Sequence, residues 1–360
     1  MKTQNCVLIS TIFKINAKGR IIIFILLFNM LQSDHYKDKI LNINKSNFED
    51  LAIEVFQYQS KNNLVYQEYL NHLKIDPKQI KSIQEIPFLP IEFYKSFNVI
   101  CNKITPRLVF ESSGTTGAKT SKHYIGDPDF YKEISKSIFE TQYGDLKQYA
   151  ILALLPSYLE RGNSSLVFMV NHFMQYADIE SGYFLKNLEE LKEKVDTLKS
   201  KGKKILLIGV SFALLDLAEM GLDLSGDHHI VMETGGMKGK REEIIREELH
   251  QILKSGLNTQ KIHSEYGMTE LLSQFYAKKN GVFTFPNWAR ILLREVNDPL
   301  SPTFEVKSGA INIIDLANID SCCFIETKDL GSYVEKGSSV KILGRLDQAD
   351  IRGCNLLVNE

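Results

Sequence analysis

The chain has 360 residues, 44% of them hydrophobic, and a formal net charge of −1 at pH 7. That length and apolar share can bury a large core, as one big domain or two lobes, and so small a net charge excludes a strong field for holding nucleic acid or an acidic membrane. The five cysteines, Cys6, Cys101, Cys322, Cys323 and Cys354, form neither a C-x-x-C pair nor a regular disulfide framework, and an odd count fits a reducing compartment, so a cytoplasmic location is expected.

At the N-terminus, Gly19 to Leu31 reads GRIIIFILLFNML behind Lys14 and Lys18, a basic and then apolar pattern of the signal-peptide kind. The apolar run is shorter than the roughly 20 residues that cross a bilayer, so no stable membrane span is expected. No small-residue cleavage site follows, only Gln32, Ser33 and Asp34. Translation from Met30, a peripheral anchor and an export signal remain three readings of this extension. Beyond it, Ser46-x-x-Glu49 has the form of a capping box ahead of Leu51, Val55 and Phe56, which predicts a helix from Asn47 to about Asn71. Ile86 to Phe97, with Pro87 and Pro90, reads as an extended packing arm.

Helical and strand patterns then alternate. Pro128 opens a helix, Tyr149 to Leu155 is a strand, Ser164 to Gln175 a helix, and Asn187 to Lys199 a charged helix. Ile205 to Val210 is a strand, Ser211 to Met220 a helix, His229 to Glu233 a strand and Lys240 to Leu253 a helix. This alternation predicts an α/β fold with a mostly parallel sheet flanked by helices. From Gly281 onward short strands dominate (Val282 to Phe285, Arg290 to Val296, Ala310 to Asp315, Cys323 to Glu326), which predicts a smaller β-rich lobe.

Between the arm and the first of those helices lies FESSGTTGAKTSK, Phe110 to Lys122, with two glycines and six hydroxyl-bearing residues. Gly114 and Gly117 allow positive-φ turns and close approach, while Ser112, Ser113, Thr115, Thr116 and the backbone amides donate without bulk, the chemistry of a loop that cradles phosphate. Lys119 or Lys122 can add charge. The spacing G-x-x-x-x-G-K-[ST] is absent, which excludes a Walker A loop; a solvated turn is the plain alternative. Three later segments accompany it: HSEYGMTE (His263 to Glu270), TKDLG (Thr327 to Gly331) and GRLDQADIRGCN (Gly344 to Asn355).

In order and separation these four segments resemble the adenylate-forming superfamily of acyl-CoA synthetases, from about Ser82 to the C-terminus. The match is closest to the branch holding phenylacetate-CoA ligases and LuxE-type acyl-protein synthetases. The resemblance implies ATP-dependent activation of a carboxylate, with the leaving phosphates in the Ser112 to Gly117 loop. Tyr266 would stack on adenine, Thr269 would donate to the α-phosphate and Glu270 would hold Mg²⁺ through oxygen. Gly235 and Gly236 in METGGMKG resemble the segment lining the adenine pocket. Asp329 resembles the acid that accepts from the ribose hydroxyls, and Arg345 and Asp347 the ribose-contacting arginine and the hinge. Tyr158, Arg161 and Ser164 fall where relatives carry an acyl-site loop. The expected domains are the extension over 1–31, a catalytic domain over 32–343, and a hinge with a short tail over 344–360.

Typical members continue for roughly a hundred residues beyond this hinge in a swivelling domain that carries an adenylation lysine; this chain ends at Glu360. Where phenylacetate-type ligases read R-G-V-N, it reads Arg352-Gly353-Cys354-Asn355. The LuxE-type branch resembles both features, which implies that Cys354 takes the acyl group as a thioester. The expected function is activation of a fatty or other apolar acid and its transfer to a protein acceptor such as an acyl reductase or a carrier protein, with ATP and Mg²⁺ required. A phenylacetate-type acyl-CoA ligase and a non-catalytic acyl-binding or acyltransferase subunit are the alternatives. Gly209-Val-Ser211-Phe-Ala213 mimics a hydrolase nucleophile elbow, with Asp223 or Asp227 and His250 or His263 as partners, though Ala213 replaces the last glycine. His228-His229 and Cys322-Cys323 are too close in sequence to share one zinc ion from a strand. His123, right after the Ser112 to Gly117 loop, reads as a strand surface residue, with contact to substrate as the alternative.

Overall fold

The computed structural model describes residues 33–112, 119–156, 162–184, 187–237, 239–300, 306–335 and 338–346. Its first layer is helical, with a helix over 33–41 followed by Phe48–Asn62 and Leu64–His72. The single helix expected over Asn47 to Asn71 is therefore two. Asn63 takes an extended ψ of 108° and turns its side chain to the next segment, accepting from the Tyr66 amide at 3.1 Å. An asparagine that can bond its own backbone competes with helix continuation. The capping box is also absent: the Ser46 amide and hydroxyl both go to Asn44 Oδ1, at 2.9 and 2.6 Å, and the helix starts at an Asn47 that makes no side-chain cap.

The packing arm supplies β1 (Leu89–Pro90) and then a helical turn, Phe93–Ser96. β2 (Leu108–Glu111) and β3 (Lys122–Ile125) form an antiparallel hairpin of their own, closed at Glu111↔Lys122. The α/β alternation then runs as the sequence predicts: helix Pro128–Tyr143, β4 (Tyr149–Leu154), helix Ser165–Met174, β5 (Gly182–Tyr183), helix Leu188–Ser200, β6 (Lys204–Val210), helix Ser211–Met220, β7 (Ile230–Thr234), helix Arg246–Gly256 and β8 (Ile262–Tyr266). β4 through β8 are parallel neighbours in the order β5-β4-β6-β7-β8. Every residue of β4 and β7 is buried, as expected for strands covered on both faces. The last helix starts six residues later than the expected Lys240, because Ile245 is extended at ψ 153° and Arg246 donates to the Ile342 carbonyl on β14.

β8 is also where strand direction reverses. β9 (Phe275–Ala277), β10 (Val282–Thr284), β11 (Ala289–Arg294), β12 (Ser308–Asp315), β13 (Phe324–Glu335) and β14 (Ser339–Arg345) follow. They extend the same sheet antiparallel, in the order β8-β9-β10-β14-β13-β12-β11, with β1 parallel to β13. The β-rich part is thus continuous with the parallel half through its hydrogen-bond ladder. No helix among the described residues is long and apolar enough to cross a membrane. The extension before residue 33 lies outside them.

Candidate functional site

The site forms where the sheet reverses, at the C-terminal ends of the parallel strands, the usual place for ligands in an open α/β sheet. β8 ends at Tyr266, and the chain turns through Gly267 to Ser273 before returning as β9. Gly267 has a steric reason to be glycine: a Cβ there would run into Glu265 Oε1 beneath the turn. One face of the Tyr266 ring lies along Phe275, with centroids 6.0 Å apart and planes 21° apart, and Phe283 meets it at 65°.

Three of the expected nucleotide residues meet here. Tyr266 donates its hydroxyl to Asp329 Oδ2 at 2.6 Å, and Asp329 on β13 stands opposite Arg345 on β14 in the antiparallel register. The Asp329 amide donates to Thr327 Oγ1 at 3.1 Å, while that hydroxyl donates to the Ile311 carbonyl at 2.8 Å. Burial raises the Tyr266 phenol well above its ordinary range and the Asp329 carboxylate raises it further, so the phenol keeps its proton and stays a donor. Gly235 adjoins this group, one residue past the Thr234↔Glu265 pair of β7 and β8. Its φ of +68° is left-handed, which suits glycine, and its carbonyl accepts from Ser211 Oγ at 3.2 Å. Gly236 follows it in the same turn.

The hairpin of β2 and β3, which carries the expected phosphate loop, reaches the same place. Ser112 donates its amide to the Ser121 carbonyl at 3.0 Å and accepts the Ser121 amide on its hydroxyl at 2.9 Å. Ser113, Gly114, Thr115, Thr116 and Gly117 lie outside the described residues, as do Tyr158, Arg161, Asp347 and Cys354. The loop's root is set against Glu270: burial raises the pKa of this carboxyl, and the Ser121 hydroxyl bonded to it works in the opposite direction. Glu270 is 5% exposed, Thr269 half-buried. The oxygens here, carboxylate and hydroxyl, are hard donors that suit Mg²⁺, which takes one or two protein carboxylates and completes its shell from phosphates and water. No group of three or more His, Cys, Asp or Glu that could hold a metal occurs among the described residues. Ser164 caps the helix Ser165–Met174, accepting from the Val167 amide at 3.3 Å.

Residues the sequence reading passed over hold the turn in place. Asp315 accepts from the amides of Leu272 and Ser273 and from the Ser273 hydroxyl, at 3.1, 2.9 and 2.7 Å. Asn318 donates to the Glu270 carbonyl at 2.8 Å and accepts from the Leu272 amide at 3.0 Å. The available signal was a pair of polar residues, Asp315 and Asn318, set among Ile313, Ile314, Leu316 and Ile319; polar groups inside an apolar run are buried with partners. His123 needs correction. It is fully buried rather than on a strand surface, because β3 turns it inward against this same turn.

The competing chemistries do not assemble. Ser211 Oγ lies 3.4 Å from Glu233 Oε2, and Glu233 Oε1 lies 3.5 Å from His250 Nε2. The acid thus stands between serine and histidine, whereas a hydrolase needs the histidine in the middle. Cys101, Cys322 and Cys323 are buried free thiols, and burial pushes Cys322 up to about 12, which makes it a poor nucleophile.

The fold is that of adenylate-forming ligases. A 2-hydroxyisobutyryl-CoA ligase, solved with 2-HIB-AMP and CoA in the thioesterification state, matches with a TM-score of 0.58 and 14% identity over 84% of this chain and 70% of that one. An O-succinylbenzoate coenzyme A synthetase from Bacillus subtilis, solved with AMP, matches with a TM-score of 0.48 and 14% identity over 70% of this chain. The match covers 52% of that synthetase, so the chain spans about half its length. None of the curated proteins matches the chain. The family model for acyl-protein synthetase, LuxE, matches residues 29–360, nearly the whole sequence, and the chain therefore belongs to the LuxE acyl-protein synthetase family.

Proposed function

We propose that the protein activates a fatty or other apolar carboxylic acid with ATP to give acyl-AMP, takes the acyl group onto Cys354 as a thioester, and passes it to a protein acceptor such as an acyl reductase or a carrier protein. The observation that carries this reading is the Tyr266–Asp329 hydrogen bond at 2.6 Å, opposite Arg345 and beside a Glu270 that adjoins the root of the phosphate loop. Adenine stacks on Tyr266, and Asp329 accepts from the ribose hydroxyls, which a carboxylate with two oxygens can do while still holding the Tyr266 proton. Thr269 donates to the α-phosphate. Glu270 would hold Mg²⁺, whose charge would offset that on the phosphate oxygens.

In the first step a substrate carboxylate oxygen bonds to the α-phosphorus, and the bond from that phosphorus to pyrophosphate breaks, pyrophosphate leaving with the electron pair. Preorganised donors around the phosphate stabilise the charge that develops. In the second step the Cys354 thiolate bonds to the acyl carbon and AMP leaves. Adenylation needs the acid, ATP and Mg²⁺ but no thiol. Cys354→Ala is therefore expected to keep acid-dependent exchange of pyrophosphate into ATP while losing the hydroxylamine-labile label that wild type gains from radioactive fatty acid. A label persisting in the variant would place the nucleophile elsewhere. Efficient transfer from wild type to free coenzyme A would favour an acyl-CoA ligase instead.

A further inference from the structure

β3 carries His123 from the root of the phosphate-loop hairpin into the interior, where it has no exposed surface. Its Nδ1 lies 2.9 Å from the Thr269 carbonyl oxygen and its Nε2 lies 2.8 Å from Ser321 Oγ, with the Tyr94 ring edge-on at 5.5 Å. A carbonyl oxygen only accepts, so Nδ1 carries the proton. Nε2 then has a lone pair and accepts from the Ser321 hydroxyl. The Thr269 carbonyl thus dictates the tautomer, and the Ser321 hydroxyl, which can donate or accept, accommodates it. Burial lowers the pKa of the ring to about 4, against the opposing effect of the Thr269 carbonyl, so the ring is neutral at physiological pH.

The turn after Tyr266 is clamped at several backbone groups. Asn318 holds the Glu270 carbonyl and Asp315 holds the Leu272 and Ser273 amides. Those clamps come from the end of β12 and the loop after it, whereas the clamp on the Thr269 carbonyl comes from the hairpin that carries the expected phosphate loop. We propose that His123 is a positioning residue for adenylate formation: its Nδ1–H fixes the Thr269 peptide, and with it the directions of the Thr269 hydroxyl and the Glu270 carboxylate, relative to the phosphate-loop hairpin. His123 does not touch substrate; it sets the register between the two segments that do.

This inference rests on the adenylation reading above, and the test separates the two. Two substitutions distinguish the ring nitrogens, since the amide nitrogen of His123→Asn falls near the place of Nδ1 and that of His123→Gln near the place of Nε2. In acid-dependent pyrophosphate exchange, His123→Gln is expected to lower the maximal rate about tenfold or more and His123→Asn by less than about threefold, with the KM for ATP changing less than about threefold in both. A group that merely fills the core would lower rate and melting temperature together in both variants. Equal rates in the two variants, whether full or low, overturn the inference, and so does an effect confined to the KM. Independently of activity, the imidazole nitrogen resonances of His123 in wild type are expected to show the Nδ1–H tautomer from about pH 5.5 to about 8. An Nε2–H form or a titration in that window overturns the assignment. Wild type that exchanges pyrophosphate with no acid retires the adenylation reading itself, and the resonances then decide the contact alone.

Discussion

Asp329 is held within the protein and is also proposed to meet the nucleotide. It receives the Tyr266 hydroxyl and, on the proposed reading, the ribose hydroxyls. Asp329→Ala is expected to weaken ATP binding by about 1–3 kcal/mol, the scale for losing hydrogen bonds to a charged group; unchanged affinity in calorimetry would refute the assignment. Glu265, the residue before Tyr266, behaves differently. Burial pushes its pKa up to about 7, partly offset by the hydrogen bond from Thr234 and reinforced by Glu233. A carboxyl whose pKa is raised on folding binds more protons folded than unfolded between those two pKa values. Its contribution to stability is present below the unfolded value near 4.5 and is lost as pH rises through about 7. Glu265→Gln should therefore be more stable than wild type at pH 8 by on the order of 3 kcal/mol, with the gap closing toward pH 5, as read by urea unfolding at both values. A pH-independent gap would show that Glu265 is ionised throughout. Tyr266, Thr269, Glu270 and Asp329 could be picked out as candidates because each stands in a short motif, and the fold brings Tyr266 and Asp329 together. His123 was not legible, since nothing in the local alternation of β3 tells which face of a two-stranded hairpin another segment will cover.

Among elements, the antiparallel block β11-β12-β13 is pinned by Arg294. This side chain is 2% exposed and donates to Glu326 Oε1 at 2.9 Å, to Asn312 Oδ1 at 3.2 Å and to the Glu295 carbonyl at 2.9 Å. Arg294→Ala strands a largely buried carboxylate on β13 and an amide on β12, and is expected to lower stability by about 3–5 kcal/mol. Lys39 pairs with Glu54 at 2.7 Å in the open, with side chains 37% and 45% exposed, so Lys39→Ala is expected to change stability by less than about 1 kcal/mol. Urea titrations of the two variants side by side check both; comparable losses would mean that Arg294 is better hydrated than its burial implies. The parallel strands were readable because runs such as Tyr149 to Leu154 are apolar on both faces. The break at Asn63 was not, because the periodicity of the helix continues through it; the side chain leaves the helix to donate to the Ser321 carbonyl at 2.8 Å, a partner 258 residues away. Nor does a strand pattern say which edge it joins, which is why the later strands read as a separate lobe.

Across the whole molecule, the loop between β12 and β13 faces the turn after Tyr266 on one side and the first helical layer on the other. Gln59, fully buried, donates to the Asn318 and Ile319 carbonyls at 3.0 and 3.1 Å and accepts from the Cys323 amide at 2.9 Å. Gln59→Leu keeps the volume and removes those bonds. It is expected to lower stability by about 1–3 kcal/mol, the cost of leaving a buried amide unpaired, and to reduce pyrophosphate exchange although Gln59 never meets the nucleotide. Faster amide hydrogen exchange across 318–323 would accompany it; full activity with normal protection there would show the loop to be self-supporting. The same arrangement dictates an order of assembly. Leu89 pairs with Ile325, and Gln59 with a residue 264 positions later, so at synthesis the helical layer leaves the ribosome long before its partners exist. Loop closure over such separations is slow, and the waiting apolar faces are sticky. The nascent protein thus exposes apolar surface until β13 is made, and the turn after Tyr266 is among the last parts to acquire its shape.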